Sequence, residues 1–487
     1  MKNNTLLFIS LVFALLLSSC SLENIYSASI EPTLKVTGDV EAEVELETSE
    51  GYDVVDYIYN DEKVKAISLQ SVLKSAAPVG NELSIFLCSN DGVMARIPIS
   101  EIDEECMLFM TDENGWVFNS PNHPKLSGIK RMDKIVVCSE ESVINQNCFR
   151  MIYGKKYLTR TYGQLFYEDA LVYSVLEGKA KQNGYTADAY TRRQLIALSS
   201  FTEELGAQDE KNAIAYFADG SSREIGLDGY IEWRGTSADY IGSDMKAREA
   251  DIIGVWIDAP NLSITDIASI AIDKLNEGNV LIIEMDGLGY YNIAEHQPEY
   301  ISSKNISMMR TVMPSISNVS LAAIVTGQEP KVNGVTERGN RNLNVYDMFK
   351  KAKEQGAECA VVEGDTVLVS MSIEQTLNVD TNNDGYTDNE VLESALKKID
   401  EGYNFIYVHF HGFDDTAHTF GPSSDEAAQK AEEIDRYVKT LCEHFSGTVI
   451  ITADHGQHDT KDEGKLGNHG EFLPVDMIVP FIIFEVN

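Results

Sequence analysis

The chain has 487 residues, 43% of them hydrophobic, which is too long for one ordinary domain and ample for buried cores. Its formal net charge of −38 at pH 7 sets up a field that repels DNA, RNA and anionic membranes, so no nucleic-acid polymer is expected as a partner. An anionic substrate would need attraction built locally, from metal ions or a few placed bases.

Residues 1–19 read as an export signal. Lys2 precedes the apolar run LLFISLVFALLL, too short for a comfortable permanent span, and the run closes in LSSC. This is similar to a bacterial lipoprotein signal, cleaved before Cys20, whose sulfur then carries lipid. Residues 20–31 become a tether, and the expected location is the periplasmic or extracellular face of a bacterial membrane, anchored through Cys20. Six further cysteines include no C-x-x-C pair, so they read as structural rather than metal-binding.

Residues 32–150 show short alternating segments, LKVTGDVEAEVELE and NELSIFLCSNDGVMARIPI among them, broken by Asp-Gly and Asn-Gly turns. That pattern predicts a β-rich domain. Residues 151–262 repeat some of it: AIAYFADGSSREIGL echoes IFLCSNDGVMARIPI, and READIIGVWI echoes KRMDKIVVCS. A second β-rich or mixed module, related to the first by duplication, is the expectation. The first stretch also resembles the molybdopterin-binding fold of the sulfite oxidase family. It offers no evident ligand set, and no cofactor is expected there.

From residue 263 to 487 the rhythm is strand, helix, strand. Apolar runs NVLIIEMD, ECAVVEGD, NFIYVHFHGFD and GTVIITADHG alternate with amphipathic segments such as DEAAQKAEEIDRYVKTLCEHF. This predicts an α/β domain, a mainly parallel sheet with helices on both faces, whose ligand site lies beyond the carboxyl ends of the strands. Three strands end there in Asp286, Asp414, and the pair Asp454 and His455. A single Asp after a strand is usually a cap or turn residue; three converging on one rim are harder to explain that way. Seven of the nine histidines fall between His409 and His469, and Asp414 with His418 has the i, i+4 spacing of two ligands on one helical face. Mixed carboxylate and imidazole suits zinc, with manganese or iron as weaker choices.

A nucleophile is available in TVMPSISNVSLAAIVTG. A helix beginning near Asn318 would set Ser317 at its amino end, where free N–H groups and the helix dipole favour an oxyanion or phosphate. Serine there is also an ordinary N-cap.

Taken together and in this order, LIIEMDGLG, PSISNVSLAAIVTG, DDTAHTFGP, ADHGQHD and GNHGEF resemble the alkaline phosphatase superfamily, most closely its type I phosphodiesterase and nucleotide pyrophosphatase branch. The resemblance covers about residues 279–487. It implies an alkaline phosphatase-like fold and two zinc ions, one held by Asp414, His418 and His469, the other by Asp286, Asp454, His455 and the Ser317 oxygen. Counted back from VTG, the nucleophile falls on Ser317 rather than Ser315 or Ser320, with serine where the branch usually has threonine. The implied reaction is hydrolysis of a phosphodiester or pyrophosphate bond in a small phosphate-ester substrate, through a Ser-linked intermediate, with the backbone N–H of Asn318 assisting. The alternatives are a phosphomonoesterase or phosphonate hydrolase on the same site, or a non-catalytic surface binding protein.

Four residues near the site carry subordinate expectations. His409 and His411 lie on a strand and read as packed groups or supports behind the ligands. Arg338 and Arg341, in TERGNR, read first as solvated surface, with reach to a substrate as the alternative that would overturn the diester preference below. Because no Lys or Arg lies between Val312 and Pro330, a singly charged diester is expected over a doubly charged monoester. A calcium loop is a further expectation, with Asp380, Asn382, Asp384 and Asp388 around Gly385; its twelfth position is Val391 where such loops carry Glu.

Overall fold

The computed structural model describes residues 33–143, 146–207, 212–461 and 464–487. The signal, Cys20 and the tether lie outside the described residues. Contacts divide the chain into two compact units, residues 1–140 and 141–487.

The first unit is a nine-stranded sheet carrying one short helix, Leu69–Ala76. Its first strand, Leu34–Gly38, runs parallel to its last, Lys130–Glu141. Alternate residues of both, Leu34, Val36, Ile135 and Val137, meet Trp116 and Phe118 in one core. Period-two patterning therefore did the work expected of it.

The second unit opens with a β-rich region that repeats this connectivity. Cys148–Tyr153 runs parallel to Ile252–Ile257, as the first strand of the preceding unit does to its last. The echoing segments form equivalent hairpins: Asn81–Ser89 pairs antiparallel with Met94–Pro98, and Ala213–Phe217 with Ser222–Ile225.

The remainder is built on a seven-stranded sheet. In chain order its strands are β1 (Val280–Met285), β2 (Ser307–Arg310), β3 (Cys359–Glu363), β4 (Thr376–Leu377), β5 (Phe405–Phe410), β6 (Gly447–Thr452) and β7 (Ile478–Val486); across the sheet they run β2-β7-β6-β1-β5-β3-β4. β1 pairs in parallel with β5 and β6, and β3 with β5 and β4. β7 runs antiparallel to both β6 and β2. Four of the six pairings are thus parallel and the two made by β7 antiparallel, so one strand runs against the mainly parallel sheet that the sequence pattern predicted.

Both faces are covered. Ile282 of β1 packs with Ala271, Val319, Ala323 and Phe349 from helices α1 (Ile267–Leu275), α2 (Ser317–Thr326) and α3 (Met348–Glu354). Its neighbours Leu281 and Ile283 face Val391, Ala395, Ile434 and Val438, from α4 (Asp388–Asp400) and α6 (Asp425–His444). Strand alternation thus sends successive residues into two cores. The central strands β6, β1 and β5 are adjacent, so whatever follows their carboxyl ends shares one rim.

Candidate active site

That rim gathers the residues picked out above. Asp286 follows β1 directly, and Asp454 and His455 follow β6 after Ala453. Asp414 and His418 stand one turn apart on α5 (Gly412–Phe420), which starts two residues after β5. His455 Nε2 lies 3.4 Å from Asp286 Oδ1 and 3.1 Å from Asp454 Oδ2. Asp414 presents Oδ2 to His418 Nε2 at 3.4 Å and Oδ1 to His469 Nε2 at 3.6 Å. The His455 and His469 rings stack with centroids 3.8 Å apart, joining the two sets.

The three imidazoles share one orientation. Each has Nδ1 against a main-chain carbonyl: His418 on Gly467 at 2.8 Å, His469 on Ser315 at 3.0 Å, His455 on Gly456 at 3.2 Å. With Nδ1 donating, Nε2 carries the lone pair and faces the carboxylates. Asp286 Oδ1 and Asp454 Oδ2 are buried without a hydrogen-bond partner. Donor atoms around a tetrahedral zinc at about 2.0–2.1 Å stand roughly 3.3 Å apart, close to the spacings seen here. The residues form candidate groups for holding divalent metal.

Electrostatics agree with that fit. Burial raises the Asp454 carboxyl to about 7, helped by the neighbouring Asp286 charge. Burial also works to raise Asp286, yet bonds from His409 and His411 hold it well below the ordinary range. Burial and the adjacent His455 push His469 down to about 3, keeping its ring neutral and its lone pair available.

Among the three serines the surroundings differ. α2 begins at Ser317 with Ile316 as its cap residue, and the Ser317 hydroxyl lies 3.2 Å from His455 Nε2. Ser315 is buried, with Oγ toward the Glu471 carbonyl at 3.4 Å, and Ser320 is buried beside Thr311 Oγ1 at 3.2 Å. The Asn318 backbone N–H belongs to the first turn of α2, where such groups lack intrahelical acceptors.

Further side chains surround the candidate ligands. Arg338, read from sequence as solvated, is exposed yet has Nη2 3.3 Å from His469 Nε2. Its loop is held by the Asn318 side chain, which donates to the carbonyls of Glu337 and Asn340 at 2.8 Å each. Arg341 is exposed. Gln457 donates to Asp414 Oδ1 from within the ADHGQHD segment. Behind the rim, His411 Nδ1 and His409 Nε2 approach Asp286 Oδ2 at 3.2 and 3.5 Å, so both histidines stand behind a candidate ligand.

The calcium set is not assembled. Asp388 is buried, and its carboxylate accepts the N–H groups of His411 and Gly412 at 2.9 and 3.0 Å, fixing the turn into α5. Asp380 accepts from Asn383 and Gly385, and Asn382 from Asp384, as in an ordinary polar turn.

The loop carrying His469 is braced from the β-rich region of the same unit. Arg150 pairs with Glu471 at 2.6 Å, and Phe472 packs on Tyr216 and Trp256 with centroids at 5.0 and 6.5 Å. Gly254 permits this approach, since a Cβ there would stand 2.3 Å from the Phe472 ring.

Residues 370–479 match the family model described as type I phosphodiesterase / nucleotide pyrophosphatase. A curated relative, GPI ethanolamine phosphate transferase 1 of Emericella nidulans (strain FGSC A4), is 25% identical over 215 residues, 38% of this chain. The chain spans only 22% of that relative's length. Phosphonoacetate hydrolase from Sinorhizobium meliloti 1021, solved with phosphonoformate, aligns at 17% identity and a TM-score of 0.32, covering 38% of this chain and 58% of its own. Murine ectonucleotide pyrophosphatase / phosphodiesterase 5 aligns at 14% identity and a TM-score of 0.31, with the same two coverages.

Proposed function

We propose that this protein hydrolyses phosphate esters, at a phosphodiester or pyrophosphate linkage, with Ser317 as nucleophile. The observation carrying the proposal is the Ser317 hydroxyl, 3.2 Å from His455 Nε2 at the first position of α2, on the rim that holds Asp286 and Asp454. Ser317 Oγ forms a bond to phosphorus while the bond to the leaving oxygen breaks, giving a phosphoserine ester. Water then forms the new P–O bond and frees the serine. Asn318, through its backbone N–H, donates to an equatorial oxygen during both displacements.

Two cations, zinc first and manganese or iron after it, would be held by Asp414, His418 and His469 and by Asp286, Asp454, His455 and Ser317. Bound there, they supply Lewis acidity and positive charge that lower the pKa of a hydroxyl. Gln457 and His411 fix the rotamers of Asp414 and Asp286 from behind. Rapid quenching with an aryl phosphodiester, followed by peptide mass analysis, should find the phosphorylated adduct on Ser317. An adduct on Ser315 or Ser320 would sink the assignment.

A second reading, phosphomonoester or phosphonate hydrolysis, is favoured by Arg338. The preference for a diester rested on a site without a basic side chain, and Arg338 brings a guanidinium to His469. A doubly charged phosphoryl group gains more from that charge than a singly charged one. Arg338→Ala should lower kcat/KM for an aryl phosphate monoester at least ~10-fold more than for the matching diester, about 1.4 kcal/mol of selectivity. Equal losses on both substrates would remove Arg338 as a charge selector.

The amino-terminal pattern supports export and a lipid anchor on Cys20. Labelled palmitate should enter the full-length chain in a bacterial host and be absent from Cys20→Ser.

A further inference from the structure

In the first unit, three side chains of different chemistry converge. Met107–Thr111 and Gly115–Asn119 form a hairpin in which Met107 pairs with Asn119. Cys106, just before the first strand, therefore meets the segment that leaves the second. That segment carries Ser120, Asn122 and His123, and the turn before Cys106 carries Asp103. Cys106 Sγ lies 3.4 Å from Asp103 Oδ1 and 3.7 Å from His123 Nδ1. One ligand atom from each of the three residues falls within 4.8 Å of the other two.

We infer that Asp103, Cys106 and His123 form a zinc site, sharing no residue with the phosphoesterase centre, with its fourth position open to water. A tetrahedral zinc bonded to sulfur at about 2.3 Å and nitrogen at about 2.0–2.1 Å separates those two donors by roughly 3.6 Å, close to the observed spacing. The cysteine is fully buried, while Asp103 and His123 are half-buried, so solvent reaches one side of the cluster. Asn122 Nδ2 holds the other oxygen of Asp103 at 2.7 Å, leaving Oδ1 toward the sulfur. The same Oδ1 accepts the Glu105 N–H at 3.0 Å, and His123 Nδ1 stands 3.0 Å from Ser120 Oγ. Binding replaces the Ser120 contact, and the thiol proton leaves to bulk water as the sulfur–metal bond forms. Among the described cysteines, Cys106 alone shares such a cluster with histidine and carboxylate. Its ligands come from spacings that match no zinc motif, because hairpin pairing rather than sequence proximity assembles them.

The phosphoesterase centre offers only nitrogen and oxygen donors, which makes the test specific. The full-length protein, stripped of metal, is titrated with cobalt(II) under reducing conditions. A thiolate-to-cobalt absorption should grow in the near-ultraviolet, vanish in Cys106→Ser, weaken in His123→Ala, and persist in Asp286→Ala. Cys106→Ser should also bind one zinc equivalent fewer than the parent while keeping its phosphoesterase turnover. If Cys106→Ser does not fold, His123→Ala carries the comparison. Absence of the near-ultraviolet band in the parent, or its survival at full strength in both Cys106→Ser and His123→Ala, overturns the inference. Neither result touches the proposed reaction, which fails instead on the Ser317 adduct.

Discussion

Ser317→Ala should lower turnover of an aryl phosphodiester by roughly 10³-fold or more, equivalent to about 4 kcal/mol or more in the barrier. The size follows from the reaction type: without the hydroxyl no covalent step exists, and only direct attack by water on a bound ester remains. Steady-state kinetics measure the loss, and metal analysis on the same sample separates chemistry from folding, since the six other candidate ligands remain. Ser315→Ala should keep most of the activity, because its hydroxyl touches the Glu471 carbonyl rather than the rim. A dead Ser315→Ala beside an active Ser317→Ala would reverse the register.

Stripping metal with a chelator should abolish hydrolysis, and zinc should restore it. Asp286, Asp414 and Asp454 crowd one rim, and burial raises Asp454 to about 7 with the Asp286 charge adding to the effect. Like charges gathered this closely are stable together when cations sit among them. Zinc should therefore also raise the melting temperature, and by more at higher free zinc, as ligand linkage requires. Calorimetry of stripped and reloaded protein reads this directly. Full hydrolysis by protein shown to be free of metal would end the two-cation reading.

Much of this arrangement was legible from residue order because its signals are local. β1, β5 and β6 are apolar runs that stop in Asp286, in the segment before Asp414, and in the pair Asp454 and His455, so strand and chemistry share one stretch of chain. Strand direction is a different matter. Nothing in IVPFIIFEV states that β7 runs against β6, since hydrophobicity specifies burial and not sense. Arg338 was read first as solvated and only second as able to reach a substrate, because an arginine in a polar loop looks solvated until Asn318 is seen tying that loop down. Asp388 misled for the opposite reason: a carboxylate beside a glycine turn looks like a cation ligand, and here it is spent on two backbone amides. Asp103, Cys106 and His123 could not be linked by spacing, because the pairing of Met107 with Asn119 is what joins them.

The brace formed by Arg150, Glu471 and Phe472 bears on how this molecule can be cut. An expression fragment starting at residue 263 would keep Ser317 and every cation ligand proposed for the phosphoesterase centre. It would also discard Arg150, Tyr216, Gly254 and Trp256, leaving the aromatic ring of Phe472 facing water and Glu471 without its cation. His469, two residues before Glu471, would then hang from a segment with one side unsupported. The smallest piece able to work as an enzyme is therefore larger than the stretch that carries the chemistry, and it begins before Cys148.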